Sequence, residues 1–225
     1  MNSTQPKDIF ISGDIVSLCR PNIDEDIIYG IWHTWFNNQR TTRYLEHGIF
    51  PVSAIEESEI IRSEISKNTS LVLSIVENKT NNLVGVISLK DINHIYRRAE
   101  IALVTSEKHS AGAALEAMAL MTTHAFDRLN LQKIYAGQHE ELWKWVNVLS
   151  LIGYKVEGLR RQHGFRGGMS YDIILTGVTA DDYYRLRSER KGDVLCGDAV
   201  KLALTRKRTN MVNEIRNILS AINKE

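Results

Sequence analysis

Hydrophobic positions along the chain recur with two spacings, and the switches between them mark out its elements. Residues 9–19, IFISGDIVSLC, alternate around Gly13-Asp14 and predict a strand hairpin or an edge strand. Ile28, Ile31, Trp32, Trp35 and Phe36 follow Asp24, Glu25 and Asp26, which predicts a helix with carboxylates at its positive end. Residues 71–76 and 83–89 are β-branched and apolar, separated by the polar turn 77–82, and predict a hairpin. A polar connection over 91–98 leads to a third strand over 99–104, giving an antiparallel meander. From Gly112 onward Ala114, Leu115, Met118, Ala119, Thr122, Ala125, Phe126 and Leu129 follow three- and four-residue spacing, one face of a long helix. A strand over 131–138, a helix over 140–152 closed by Gly153, and a hairpin over 159–178 interrupted by Gly164, Gly167 and Gly168 come next. A charged connection over 188–197 precedes an amphipathic helix carrying Met211, Val212, Ile215, Ile218, Leu219 and Ile222, about four turns long. There are no internal repeats and no low-complexity tract.

Composition narrows the classes. The 225 residues are 43% hydrophobic and 24% charged, ordinary for a soluble protein. A net charge of +1 gives no field that would favour nucleic acid or an anionic membrane surface. Two cysteines, Cys19 and Cys196, are too few for a disulfide framework or a cysteine-rich zinc site and read as small buried hydrophobes. No signal peptide opens the chain and no apolar run approaches about twenty residues, so the expectation is a cytoplasmic protein without a membrane segment.

The joint at 105–114 is where chemistry is expected. The first turn of a helix leaves backbone N–H groups unpaired at the positive end of its dipole, which suits a phosphate or pyrophosphate. Gly112, set among Ala111, Ala113 and Ala114, would let such a ligand approach the backbone. The run His109-Ser110-Ala111-Gly112-Ala113-Ala114-Leu115-Glu116-Ala117 resembles the acyl-CoA signature of the GNAT acyltransferase superfamily, Gln/Arg-x-x-Gly-x-Gly/Ala followed by Thr-Glu-Ala. Gly112, Ala114, Glu116 and Ala117 match, while His109 replaces Gln or Arg and Leu115 replaces Thr. The flanks extend the likeness. Residues 35–45, WFNNQRTTRYL, with Phe50-Pro51 and a helix over about 52–66, resemble the first helix-turn-helix of the ribosomal-protein and polyamine acetyltransferases. Further matches are the strand texts within 83–105, the run Gly153-Tyr154-Lys155-Val156-Glu157-Gly158, and RRQHGFRGGMSYD in the last hairpin.

The resemblance spans residues 8 to about 186. It implies an acyltransferase domain over 1–186 and an extension over 187–225 with its own amphipathic helix. The implied fold is α/β, a mixed and mostly antiparallel sheet split near its middle and flanked by helices. Acetyl-CoA or another short acyl-CoA would be the co-substrate, its pyrophosphate over His109, Ser110, Ala111, Gly112, Ala113 and Ala114 and its pantetheine arm along Leu103, Val104 and Thr105. A backbone N–H of that strand would steady the developing oxyanion.

Glu100 is the first candidate for the base that takes the amine proton, against the alternative of a strand-end glutamate paired with Arg97 or Arg98. His139 and His163 are the other candidates. Where the family places Asn, Ser and a tyrosine acid, this chain has Leu142, Trp145 and Leu149, so the thiolate would be protonated by water or another residue, or the protein would bind acyl-CoA without catalysis. Trp35, Arg40, Arg43 and Tyr44 would form one wall of the acceptor site, with Arg160 reaching from the hairpin. Arginines and aromatics suit a diphosphate and a stacked base, so the expected acceptor is the amine of a dTDP- or UDP-linked amino sugar. A polyamine or a protein N-terminus is the alternative, and a polyamine would call for an acidic cleft that the acceptor-side text does not display. A homodimer is expected from the resemblance. No His-Glu-x-x-His, Cys-x-x-Cys, P-loop or Gly-x-Ser-x-Gly motif occurs, so no metal is implied.

Overall fold

The structure is a computed structural model of the chain and describes residues 7–195 and 209–223. Cys196 and Gly197, at the end of the expected charged connection, lie outside the described residues. Two compact units emerge, one ending at Leu129 and the other starting at Asn130.

In the first unit, β1 (Ile9–Ser12), β2 (Val16–Cys19), β3 (Leu71–Glu77), β4 (Leu83–Asn93) and β5 (Arg98–Thr105) pair as antiparallel neighbours in chain order. The predicted meander is present, but the 91–98 connection is shorter than expected. β4 continues to Asn93, which pairs with Arg98.

Alternation along the strands decides what covers each face. Val72 and Val86 join Ile27, Trp32, Trp35 and Ile61 in one core cluster. These come from a π-helical turn (Ile23–Ile28), α1 (Trp32–Phe36) and α3 (Ala54–Ile65), with the short α2 (Gln39–Thr42) between the last two. The single helix expected from Asp24 is therefore two pieces, interrupted around Gly30, the poorest helix former short of proline. α3 opens with a capping box between Ser53 and Glu56, which answers two of its unpaired amides. Ile87, Leu89 and Ile101 point the other way, toward α4 (Ala113–Asp127), which buries Leu115, Met118, Ala119, Thr122 and Phe126. Cys19 is fully buried, and burial pushes its thiol up to about 11, in keeping with its reading as a small hydrophobe.

In the second unit β8 (Met169–Thr179) lies between β6 (Lys133–His139) and β7 (Lys155–Arg166), all antiparallel. The expected helix over 140–152 is a 3-10 turn, α5 (Trp143–Leu149) and a second 3-10 turn. α6 (Ala180–Glu189) occupies a stretch expected to be only the end of the hairpin and the start of a loop. Its signals were present: Thr179 accepts from the Asp182 amide at 3.2 Å, and two aspartates fill the first turn.

The last helix, α7 (Val212–Ile222), has three turns rather than four. It packs on its own unit, with Val212 buried against Val146 and Ile174, while Ile218 and Ile222 stay exposed.

Candidate active site

β5 runs into a polar loop and then into α4, as the spacing predicts. Gly112 caps the helix with φ +90° and ψ −15°, a left-handed conformation that side chains disfavour. A Cβ there would also come within 3.0 Å of Ile15 Cδ1. The helical ladder starts with the Glu116 amide bonding the Gly112 carbonyl at 2.9 Å, so the amides of Ala111, Gly112 and Ala114 precede it.

Two buried carboxylates hold this joint. Glu77 accepts from the Ser110 amide at 2.9 Å and from the Thr80 hydroxyl at 2.6 Å. Hydrogen bonds from the Ser110 and Thr80 hydroxyls and the Ser110 amide hold it below the usual carboxylate range. Glu116 accepts three backbone amides from the β1–β2 turn: Asp14 at 2.9 Å, Ile15 at 2.7 Å and Val16 at 2.6 Å. Of the loop expected to cradle pyrophosphate, the Ser110 amide is thus committed to Glu77 and the Ala113 amide to the Ser110 carbonyl at 3.1 Å. His109 is exposed and its Nδ1 lies 3.0 Å from the Ser110 carbonyl.

Beside β5, on the α1–α3 face, lies a cavity of about 240 Å³. The strand register fixes what faces it. Val86 lies opposite Val104, Ser88 opposite Ala102 and Lys90 opposite Glu100, and opposite residues share a face. Glu100 therefore stands on the cavity's side of β5, half-buried, two residues from Ala102 on the lining. α3 adds Glu57, Ile60, Ile61 and Glu64, an i, i+3, i+4, i+7 set that one helix face presents together.

Glu57 is 6% exposed and its Oε1 accepts the Trp32 indole N–H at 2.9 Å. Burial pushes its carboxyl above the ordinary value, against lowering by the Trp32 bond, His33 and Lys90. Glu64 is held below the usual range by Lys67, one turn away. His47, also on the lining, is held low by burial and by Lys90.

The expected acceptor wall is built differently. Trp35 is 5% exposed and stacks on Trp32 with ring centres 6.2 Å apart, so it belongs to the core behind the cavity. Arg40 lies 3.9 Å from Glu107, its side chain 85% exposed. Arg43 sits 4.4 Å over the Tyr44 ring. None of these four lines the cavity; from that segment Phe36 and Leu45 do so.

In the second unit His139 ends β6. Its Nδ1 accepts from the Glu141 amide at 3.2 Å, and its ring stacks on Tyr171 at 4.3 Å. Gly164 is bare because Tyr171 covers it: a Cβ there would lie 2.1 Å from the ring. Arg160 and His163 are exposed on β7, separated from each other by the irregular pairing between Arg160 and Gly164. Gln162, at φ +47°, donates its amide to Asp172 Oδ1 at 2.8 Å. From α7, Arg216 Nε donates to Asp172 Oδ2 at 2.8 Å and Nη2 donates to Glu140. Leu149 is fully buried, so the position where the family places a tyrosine acid is core. Among the described residues no group of His, Cys, Asp and Glu could hold a metal ion, and no helix is long and apolar enough to cross a membrane.

Sequence reading had placed Glu100, Leu103, Val104, Thr105 and the 109–114 loop on one strand–loop–helix joint, and the structure joins them so. It had missed Glu57, Glu64, Glu77 and Lys90. The i, i+7 spacing of Glu57 and Glu64 was the available signal.

Comparison with known proteins agrees with this architecture. A profile described as the acetyltransferase (GNAT) domain matches residues 20–155. The spermidine N(1)-acetyltransferase of Escherichia coli (strain K12) is 35% identical over 100 residues, 44% of this chain and 54% of that protein. The chain thus matches about half of that relative's length. The corresponding enzyme of Vibrio cholerae is 27% identical over 140 residues, covering 62% of this chain and 80% of that one. The crystal structure of spermidine N-acetyltransferase from Vibrio cholerae in complex with CoA and spermine superposes with a TM-score of 0.67 at 24% identity, over 75% of this chain and 98% of the other, and shares the fold. The expected α/β fold with mostly antiparallel strands and the expected family are borne out: the chain belongs to the GNAT acetyltransferase family.

Proposed function

We propose that the protein transfers an acetyl or similarly short acyl group from acyl-CoA to a primary amine, and that the amine belongs to a polyamine. The observation that carries the first part is the joint itself: amides ahead of the α4 ladder, a left-handed glycine, and two buried carboxylates that hold the loop in shape. Such a cradle fits the pyrophosphate of an acyl-CoA.

The acceptor reading moves from a nucleotide-linked amino sugar to a polyamine. A diphosphate needs cations at the site, yet Arg40 and Arg43 are engaged with Glu107 and Tyr44 and stand off the cavity lining. The lining instead carries Glu57 and Glu64 beside a single lysine, Lys90, with Glu100 on the same strand face, so folding gathers carboxylates that the linear text keeps apart. The relatives named as spermidine acetyltransferases support the same substrate class.

Acyl-CoA, when bound, supplies the acyl group as a thioester. Glu100 takes the proton of the attacking amine, directly or through a water, and β5 amides within Leu103–Thr105 steady the oxyanion. With a leucine in the core at the usual tyrosine position, water protonates the departing thiolate.

The test is CoA release, followed with a thiol reagent, from acetyl-CoA against spermidine, a UDP- or dTDP-linked amino sugar and a short peptide. Turnover on spermidine is expected, reduced at least about tenfold in Glu100→Ala. Turnover on the sugar without spermidine overturns the acceptor, and an undiminished Glu100→Ala removes that residue as base.

A further inference from the structure

The proposed acceptor cavity holds a carboxylate with only one of its two oxygens in a hydrogen bond. Glu57 is more than nine-tenths buried on the lining of an otherwise mostly apolar space. Oε1 serves the Trp32 indole, and Oε2 makes no hydrogen bond among the described residues. A buried ionised carboxylate is costly unless it is paired and hydrogen-bonded. The other carboxylates buried in this unit follow that rule. Asp26 has Lys7 at 2.6 Å, the Ser74 hydroxyl at 2.9 Å and the Asn22 amide at 3.0 Å. Glu77 and Glu116 use both oxygens. Glu57 is the exception among them, and it faces the cavity.

Structure alone does not require its charge. A glutamine at 57 would offer the same carbonyl oxygen to Trp32 in nearly the same volume. What a glutamine could not offer is a negative oxygen for a cation entering the cavity.

We propose that Glu57 selects the acceptor: Oε2 pairs with a second ammonium of a linear di- or polyamine while the amine to be acylated lies against β5. The pairing gives the second carboxylate oxygen a charge-assisted hydrogen bond, stronger than one between neutral groups. The group's upward-shifted titration is in keeping with a carboxylate whose partner arrives with the ligand. Lys90, on the same lining, already lowers the Glu57 carboxyl through its charge, so an entering ammonium shares the carboxylate with it. Glu64 cannot substitute, because Lys67 already occupies it. The assignment rests on the amine-acylation reading above and adds the residue that discriminates among amines.

The experiment compares wild type, Glu57→Gln and Glu57→Asp with two acceptors, spermidine and hexylamine. In kinetic form, the ratio of kcat/KM for spermidine over hexylamine falls at least tenfold in Glu57→Gln, mostly through KM, and Glu57→Asp recovers part of it. A ratio that does not change overturns the proposal. Calorimetric binding of spermidine without acyl donor reads the anchor independently of turnover. Weakened binding in Glu57→Gln supports it and unchanged binding overturns it, whereas absence of turnover on every amine counts against the acyltransferase reading alone. If Glu57→Gln does not fold, the wild type still decides. Spermidine raises its melting temperature more than hexylamine at equal concentration if the anchor operates, and equal shifts overturn it.

Discussion

The two halves of the candidate site use buried glutamates in opposite ways. At the acyl-CoA cradle, Glu77 and Glu116 are saturated by backbone amides and hydroxyls, so each is a strut between segments far apart in the chain. At the cavity beside β5, Glu57 is held by one indole, and its second oxygen makes no hydrogen bond among the described residues. The same side chain thus reads as scaffold or as receptor according to how many of its partners the fold already supplies. Burial alone does not distinguish them.

The comparison breaks most visibly at Glu116. Glu116→Ala leaves three amides of the β1–β2 turn without their acceptor, and each bond to a charged group carries about 1.5–3 kcal/mol. A loss of roughly 3 kcal/mol or more is expected in denaturant unfolding, with weaker acyl-CoA binding at temperatures where the variant stays folded. Gly112→Ala is milder. It places a side chain at φ +90° against Ile15, for a cost of about 1–2 kcal/mol and a measurable rise in the CoA dissociation constant.

The smallest effect is the most diagnostic, because Glu77 and Glu57 titrate with opposite sign. Glu77 is depressed, so its contribution is present above the ordinary value of 4.5 and is lost as pH falls through its lower folded value. Glu57 is raised, so the folded state holds its proton more tightly, and stability declines as pH climbs from 4.5 through the raised value. Unfolding curves taken across that range should flatten in opposite directions in Glu77→Gln and Glu57→Gln. Parallel changes would erase the distinction between strut and receptor.

Much of the scaffold was legible because strands and the central helix announce themselves by period. β2 to β5 and α4 appear where alternation and the 3.6-residue face put them. The misses have local causes. Gly30 divides one apolar stretch into a π-helical turn and α1. Thr179 and its aspartates start a helix that looked like the end of a hairpin. The acceptor side was harder. Its acidity depends on register and on a helix face, which bring Glu57 and Glu64 to the same surface as Glu100 across more than thirty positions of sequence. The arginines that suggested a diphosphate are prominent in the text because they are charged, and they are exposed for the same reason.

Arg216 has a practical consequence for anyone shortening this chain. It comes from α7, well beyond the segment shared with the family, yet it neutralises Asp172 and Glu140, whose backbone and side chain also meet at 3.1 Å. Asp172 in turn holds the left-handed amide of Gln162. Cutting after about residue 186, where the resemblance ends, would keep β8 but leave two acidic groups facing each other where it meets the first turn after β6. The appended helix is therefore better regarded as the counterion of its unit than as a detachable tail.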